Sequence, residues 1–311
     1  MKKFLITLAI LFVSFFVFDK LFLFFVYYSP TKEVHKRLEL VLDGKINKDI
    51  IILGSSKGAR DIIAGQLEKE TNYTAYNLSY PGSDVEFHEF MLRALLKYNA
   101  KPKIVILTVD NPIEVLPDSL LTFRLDRMYP RVKYDFVNQE LIDRNEKNAV
   151  LSKLFVLHRI NKGIFDIRQK KYTAMDTVLS DGSMPISFQK ENADWNETID
   201  NTIYPQEKES EVKVKALQKI IANCKHNRIK LILVSPPMLR GVNPKFKKRM
   251  LEIAGNDAFF YEFDTQNSVY KDKSFFFDLN HLKVNGATVF TSELANYLKT
   301  NKTLNLKDSK K

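Results

Sequence analysis

The sequence has little cysteine and few of the short patterns that mark common ligand sites. Among its 311 residues there is one cysteine, Cys224, which excludes a disulfide framework and a cysteine-based metal site. Cys224 lies in a predicted helix, where a thiol usually packs as a small apolar side chain rather than acting as a nucleophile. There is no zinc-finger spacing, RNP pattern or basic-helix heptad, so we expect no nucleic-acid partner.

Basic residues outnumber acidic residues, 48 to 37, which gives a formal net charge of +11. This excess suits anionic lipid headgroups or acidic glycans, and singly spread lysines are also typical of an ordinary solvated surface. Hydrophobic residues make up 45% of the chain, so we expect a globular protein with a substantial core.

The chain opens with two apolar runs, residues 4–18 and 21–28, separated by Asp19 and Lys20. As one helix they are long enough to span about 30 Å of hydrocarbon, with Asp19 pairing with Lys20. No small-residue cleavage site follows the first run, and a secretion signal is the alternative interpretation.

Basic residues at the start of the chain indicate its topology. Lys2 and Lys3 favour a cytoplasmic amino terminus, although further basic residues follow the apolar runs. We therefore predict a membrane anchor at residues 1–30 in a single-pass protein of the cell membrane, with the remainder extracytoplasmic, either periplasmic or extracellular.

From residue 49 onward, short apolar runs alternate with amphipathic helices. This alternation predicts an α/β fold with a doubly wound parallel sheet. The predicted strands are residues 49–53, 73–78, 103–109, 231–234 and 258–263, and the clearest helices are 86–98, 211–227 and 285–300. Helix 211–227 is expected to pack inward through Val212, Val214, Leu217, Ile220, Ile221 and Cys224. The domain is predicted to cover residues 31–300, followed by a basic tail at 301–311.

Residues from about 112 to 205 do not continue the alternation. We interpret them as a lid-like insertion between the third strand and the next helix. Insertions at that end of a parallel sheet commonly cover the active site, and simple extension of the scaffold is the alternative.

Gly54, Ser55 and Ser56 follow the first strand directly and precede a predicted helix. A serine here lies at the carboxyl end of a strand, where open α/β sheets place their ligands. It also lies by a helix amino terminus, whose N–H groups can stabilise an oxyanion. On this feature alone, capping of the helix by Ser56 is the simpler role.

A second feature stands just before the last helix, where Asp278 and His281 form a D-x-x-H pattern. A serine hydroxyl needs a neighbouring base, usually a histidine that a carboxylate orients. One loop can supply both groups, with Asp278 holding one imidazole nitrogen while the other faces Ser56. The pattern on its own is common and specific for nothing.

In order along the chain, four segments resemble the conserved blocks of SGNH (GDSL-like) hydrolases: residues 54–56, 77–82, 107–111 and 278–281. The resemblance implies a flavodoxin-like three-layer α/β/α sandwich. It implies a catalytic triad of Ser56, Asp278 and His281. It further implies an oxyanion hole that includes the N–H groups of Ser56 and Gly82. Ser55 stands where the family usually has aspartate, and which of the two serines faces the site is left open.

The third block departs from the family pattern. Asp110 falls where the family places an asparagine that donates to the oxyanion, and an ionised aspartate only accepts hydrogen bonds. Asn111 can take that place in the oxyanion hole if the turn shifts by one residue. Asp110 can equally cap a turn at the strand end. The departure argues against vigorous hydrolysis, because losing such a donor costs on the order of a hundredfold in rate.

The Gly-Ser-Ser block and the single membrane helix are also similar to a branch that includes teichoic-acid D-alanylation and alginate acetylation proteins. This resemblance implies an extracytoplasmic O-acyltransferase or esterase that acts on an envelope polysaccharide or related polymer through an acyl-enzyme. Its implied partners are the membrane, an envelope glycan or acyl donor, and a membrane-bound O-acyltransferase. The mechanism needs no metal or organic cofactor. The alternatives are an esterase for small or lipid esters, and a non-catalytic envelope assembly protein with the same fold.

Overall fold

The computed structural model describes residues 1–28, 35–109, 111–160, 173–190, 195, 203–239 and 241–304. The chain divides into two compact units. One comprises Met1–Val34 and Arg124–Lys171, and the other comprises His35–Phe123 and Tyr172–Lys311. We call them the helical unit and the sheet unit.

The sheet unit contains five parallel strands in the order β2-β1-β3-β4-β5. The strands are β1 Ile50–Leu53, β2 Ala75–Asn77, β3 Ile104–Thr108, β4 Lys230–Ser235 and β5 Phe259–Glu262. The predicted α/β class with a parallel sheet is confirmed. The strand order reverses between β1 and β3, and ligands of open α/β sheets bind at such a reversal, beyond the carboxyl ends of the strands.

Helices connect these strands and form most of the helical unit. Their bounds are α1 Lys2–Tyr28, α2 Arg37–Leu42, α3 Ser56–Asp61, α4 Ala64–Thr71, α5 Val85–Tyr98, α6 Leu125–Met128, α7 Asp135–Asp143, α8 Ala149–Leu154, α9 Glu211–His226, α10 Pro244–Ala254 and α11 Val284–Thr300. Helices α1 and α6 to α8 belong to the helical unit.

Both faces of the sheet are buried. Ile50, Ile52 and Ile106 contribute to a core cluster with residues of α4 and α11. Ile51 and Leu107 alternate with them, point to the opposite face, and are also fully buried. This double burial explains why the strands are uniformly apolar.

Helix α1 begins at the position predicted for the anchor. Its stretch Lys2–Phe22 is long and apolar enough to cross a membrane, and it is almost entirely exposed within the protein. The buried carboxylate of Asp19 pairs with Lys20 at 3.3 Å, as expected.

Helix α9 shows one error in the predicted core. Val212 is 59% exposed rather than buried. The neighbouring Lys213 is buried instead, because its Nζ donates to the carbonyl oxygens of Ile113 and Leu116 at 3.1 and 3.0 Å. Cys224 is fully buried, as predicted.

The predicted insertion is shared between the two units. In the sheet unit, residues 173–190 lie beside β2, where the N–H of Asn77 donates to the carbonyl of Asp181 at 2.9 Å. The same segment continues past α3 to the start of α11, where the N–H of Val284 donates to Ile186. Leu304, the last described residue, is buried, and the rest of the predicted basic tail lies outside the described residues.

Candidate active site

Ser56 is the first residue of α3, two positions after Gly54. Gly54 has a φ of 154°, and a Cβ there would lie 1.9 Å from the hydroxyl of Thr108, so the turn between β1 and α3 requires glycine. Ser55 is buried and its side chain does not cap the helix. The partly exposed Ser56 directs its Oγ to Nε2 of His281 at 2.8 Å.

The other ring nitrogen of His281 faces Asp278. Nδ1 lies 2.9 and 3.1 Å from the two carboxylate oxygens. Oδ1 of Asp278 also accepts the backbone N–H groups of Asn280 and His281, at 2.8 and 2.9 Å. The tight turn from 278 to 281 thus orients the carboxylate and the imidazole together, and the D-x-x-H spacing allows both contacts.

Burial and neighbouring charges adjust the pKa of both groups. Burial raises the pKa of Asp278, but the hydrogen bonds from His281 and from backbone N–H groups outweigh it, and the pKa falls well below its usual range. Burial lowers the pKa of His281, and the cations of Arg60 and Lys57 add to this effect, while Asp278 opposes it. The net pKa of His281 is below its ordinary value, so the ring is neutral near pH 7 and able to accept a proton.

Asp61 holds the histidine loop from the far end of α3. Its carboxylate is fully buried and accepts the N–H of Leu282, the residue after His281, at 3.0 Å. Helix α3 therefore carries Ser56 at its first residue and anchors the loop that contains His281 at its last. Sequence reasoning missed Asp61, because nothing in the pattern of a short polar helix indicates a contact 221 residues away.

Gly82 lies in the loop after β2, and this loop is hydrogen-bonded to the serine turn. The N–H of Tyr80 donates to the carbonyl of Gly54 at 2.9 Å, and the N–H of Thr122 donates to the carbonyl of Gly82 at 3.0 Å. Gly82 has a φ of 73°, which favours glycine. The second block therefore lies next to the first.

The same loop contains a second serine–histidine pair. Ser83 Oγ lies 2.9 Å from Nε2 of His88 and donates to the carbonyl of Tyr80 at 2.6 Å. Burial lowers the pKa of His88 to about 3. Because Ser83 is fully buried, the pair fixes the loop and is not an accessible nucleophile.

The third block is only partly described. Asp110 lies outside the described residues. The side-chain oxygen of Asn111 accepts the N–H of Ile113 at 3.1 Å and caps the 3-10 helix Pro112–Glu114. The amide NH2 of Asn111 is therefore the part of this side chain that can donate to an oxyanion.

Cys224 is a buried, free cysteine. Burial raises the pKa of its thiol to about 12, which removes it as a nucleophile. In the part of the chain that the structure describes, no three His, Cys, Asp or Glu side chains are grouped as metal ligands.

No protein-family model matches the chain, and no curated protein matches it significantly. The geometry of the site therefore carries the functional argument.

Proposed function

We propose that this protein is an SGNH-type serine esterase or O-acyltransferase that forms an acyl-enzyme on Ser56. The observation that carries the proposal is the continuous hydrogen-bonded series from Ser56 through His281 to Asp278. Ser56 lies 225 residues from His281 along the chain, yet the three groups meet with the distances that activation of a serine hydroxyl requires.

The fold supports the same assignment. The strand order 2-1-3-4-5 is that of flavodoxin-like three-layer sandwiches. Ser56 follows β1 and Asn111 follows β3, the two strands that flank the reversal in strand order. A substrate bound there would meet the nucleophile and candidate oxyanion donors together.

The proposed reaction has two steps. Oγ of Ser56 attacks the acyl carbonyl carbon while Nε2 of His281 takes the hydroxyl proton, and Asp278 stabilises the imidazolium. His281 then returns that proton to the leaving alcohol or thiol, and an ester remains on Ser56. In the second step, an acceptor hydroxyl gives its proton to Nε2 of His281 and attacks the carbonyl carbon of this ester. The bond between that carbon and Oγ of Ser56 breaks, and His281 returns the proton to Oγ. A sugar hydroxyl as acceptor gives transfer, and water gives hydrolysis.

The N–H groups of Ser56 and Gly82 and the amide of Asn111 are the candidate oxyanion donors. The first N–H groups of a helix have no intrahelical partner, so Ser56 at the start of α3 suits this role. Donors directed at the developing negative charge are worth about 3 kcal/mol each in related chemistry.

The proposed substrate is an ester of an envelope polysaccharide or related polymer. The excess of basic residues, which gives a formal net charge of +11, suits an anionic polymer. The apolar helix α1 supports attachment to the cell membrane as a single-pass protein with an extracytoplasmic domain. A membrane-bound O-acyltransferase is the proposed source of acyl groups.

Labelling with a fluorophosphonate probe tests the nucleophile. The wild-type protein should be labelled covalently, and Ser56→Ala should abolish labelling. Ser55→Ala is the matched control and should keep labelling, because Ser55 is buried. His281→Ala should reduce the labelling rate by several orders of magnitude, since the base is lost.

The controls separate loss of chemistry from loss of fold. Each variant should unfold at a temperature close to that of the wild type. Equal labelling of the wild type and Ser56→Ala would refute the assignment of the nucleophile. An unlabelled but folded wild type would favour the non-catalytic assembly protein.

A further inference from the structure

Within the helical unit, the end of α8 and the residues that follow it are hydrogen-bonded to the apolar helix α1, beyond the midpoint of α1. Both carboxylate oxygens of Asp19 in α1 are used, since they accept the N–H groups of Val156 and Leu157 at 2.8 Å each. The ammonium of Lys20 donates to the carbonyl of Leu154. Asp19 is fully buried by these contacts.

Aromatic packing supports the same attachment. The ring of Phe155 lies 5.9 Å from that of Phe15 and 6.2 Å from that of Phe16. Polar and apolar contacts thus fix α8 against one side of α1. A charged residue in an otherwise apolar helix is costly unless it is paired, and these backbone N–H groups supply the partners.

Helix α8 presents an exposed apolar face. Val150, Leu151 and Leu154 are 64%, 42% and 49% exposed and share one side of the helix, since they stand at positions i, i+1 and i+4. Lys153 is exposed beside them. A contiguous apolar patch flanked by a cation is typical of a helix that lies in the membrane interface.

The position of Asp19 along α1 gives the depth of this face. Asp19 follows Lys3 by 16 residues, or about 24 Å at 1.5 Å per residue. The hydrocarbon core is about 30 Å thick. With Lys3 at the cytoplasmic boundary, Asp19 and the attached end of α8 lie just below the opposite boundary.

We propose that α8 is a second membrane contact, an interfacial helix whose face Val150, Leu151 and Leu154 enters the lipid of the extracytoplasmic leaflet. The occupant of this face is lipid, because the face belongs to the segment fastened to α1, whose own surface is apolar and exposed. The inference rests on the proposed membrane anchoring by α1.

Site-directed fluorescence quenching tests it on the full-length chain. Val150→Cys carries an NBD fluorophore in vesicles of phosphatidylcholine and phosphatidylglycerol that contain doxyl-labelled lipid. The native Cys224 is fully buried and need not be replaced. We expect a doxyl group near the headgroups to remove most of the NBD emission, and one near the acyl-chain end to remove less.

Two further positions serve as controls. Val212 in α9 is a matched residue of similar exposure, 59%, and Val212→Cys should not be quenched. Leu11→Cys in α1 should be quenched most by the deep doxyl group. Leu154→Cys repeats the test if Val150→Cys fails to fold.

The outcomes separate this inference from the proposals on which it rests. Quenching at Leu11 but not at Val150 or Leu154 overturns the interfacial helix and leaves the anchor intact. A blue-shifted but unquenched probe at Val150 means that protein covers the face, which also overturns it. Absence of quenching at Leu11 refutes both membrane proposals. Fluorophosphonate labelling of the same vesicles reports the chemistry independently.

Discussion

His281 accepts a proton only when its ring is neutral, so its pKa sets the lower pH limit of the proposed reaction. The structure contains opposing influences on that pKa. Burial and the cations of Lys57 and Arg60 lower it, and the carboxylate of Asp278 raises it. Since the lowering influences prevail, the base should stay neutral and active somewhat below the ordinary histidine pKa.

Removing the charge of Arg60 should therefore raise the pKa of His281. In Arg60→Gln, the acidic limb of kcat/KM for a chromogenic ester should move to higher pH. Activity should fall near pH 6 and change little near pH 8, where the ring is neutral in both proteins. A pH–rate profile from pH 4.5 to 9 measures the shift.

Arg93→Gln provides the matched control for this experiment. Arg93 pairs with Glu89 on α5 at 2.8 Å, and its loss should leave the limb in place. If the acidic limb of the pH–rate profile of Arg60→Gln stays in place or moves to lower pH, the electrostatic account is contradicted.

At the scale of elements, α3 connects Ser56, the proposed nucleophile, to the loop that contains His281, the proposed base. Because the carboxylate of Asp61 accepts the N–H of Leu282, the residue after His281, we infer that Asp61 is a positioning residue. Asp61→Ala should lower kcat on the order of tenfold to a hundredfold and cost about 1–3 kcal/mol of unfolding free energy through the unsatisfied N–H. Steady-state kinetics and chemical denaturation measure the two effects.

Asp61→Asn distinguishes positioning from a purely structural role. The asparagine oxygen can still accept the N–H of Leu282, so kcat should recover most of its wild-type value even if some stability stays lost. If Asp61→Ala lowers stability and leaves kcat unchanged, the positioning role is wrong.

The sequence predicts the sheet elements well, for a physical reason. Strands buried on both faces are uniformly apolar, and β1, β3 and β4 are found within about one or two residues of their predicted bounds. The predicted burial of Val212 is wrong, because its position at the edge of an amphipathic face is ambiguous. The contacts of Lys213 decide which side of α9 is buried.

The candidate site was partly predictable. Ser56, Asp278 and His281 come from sequence patterns, and the structure brings them together. A sequence does not show which distant backbone N–H a buried carboxylate will accept. The hydrogen bonds of Asp61 and Asp19 to such N–H groups are therefore seen only in the structure.

At the scale of the whole molecule, the proposed reaction on an envelope substrate requires the sheet unit to lie on the extracytoplasmic side of the membrane. Lys2 and Lys3 stand at the start of the apolar stretch Lys2–Phe22 of α1, and basic residues favour the cytoplasmic side. Alkaline phosphatase fused after residue 311 should therefore be active in bacterial cells, because it folds only where disulfides form.

A β-galactosidase fusion at the same position serves as the reciprocal control and should be inactive. The reverse pattern, with active β-galactosidase and inactive phosphatase, would place the sheet unit in the cytoplasm and contradict the envelope substrate.

The most direct test of the central claim is to locate the covalent adduct on the intact protein. After reaction with a fluorophosphonate, mass spectrometry should detect one adduct per chain, and fragmentation of the tryptic peptide 49–57 should assign it to Ser56. An adduct on Ser55, on another residue, or on none in a folded protein would contradict the proposed triad.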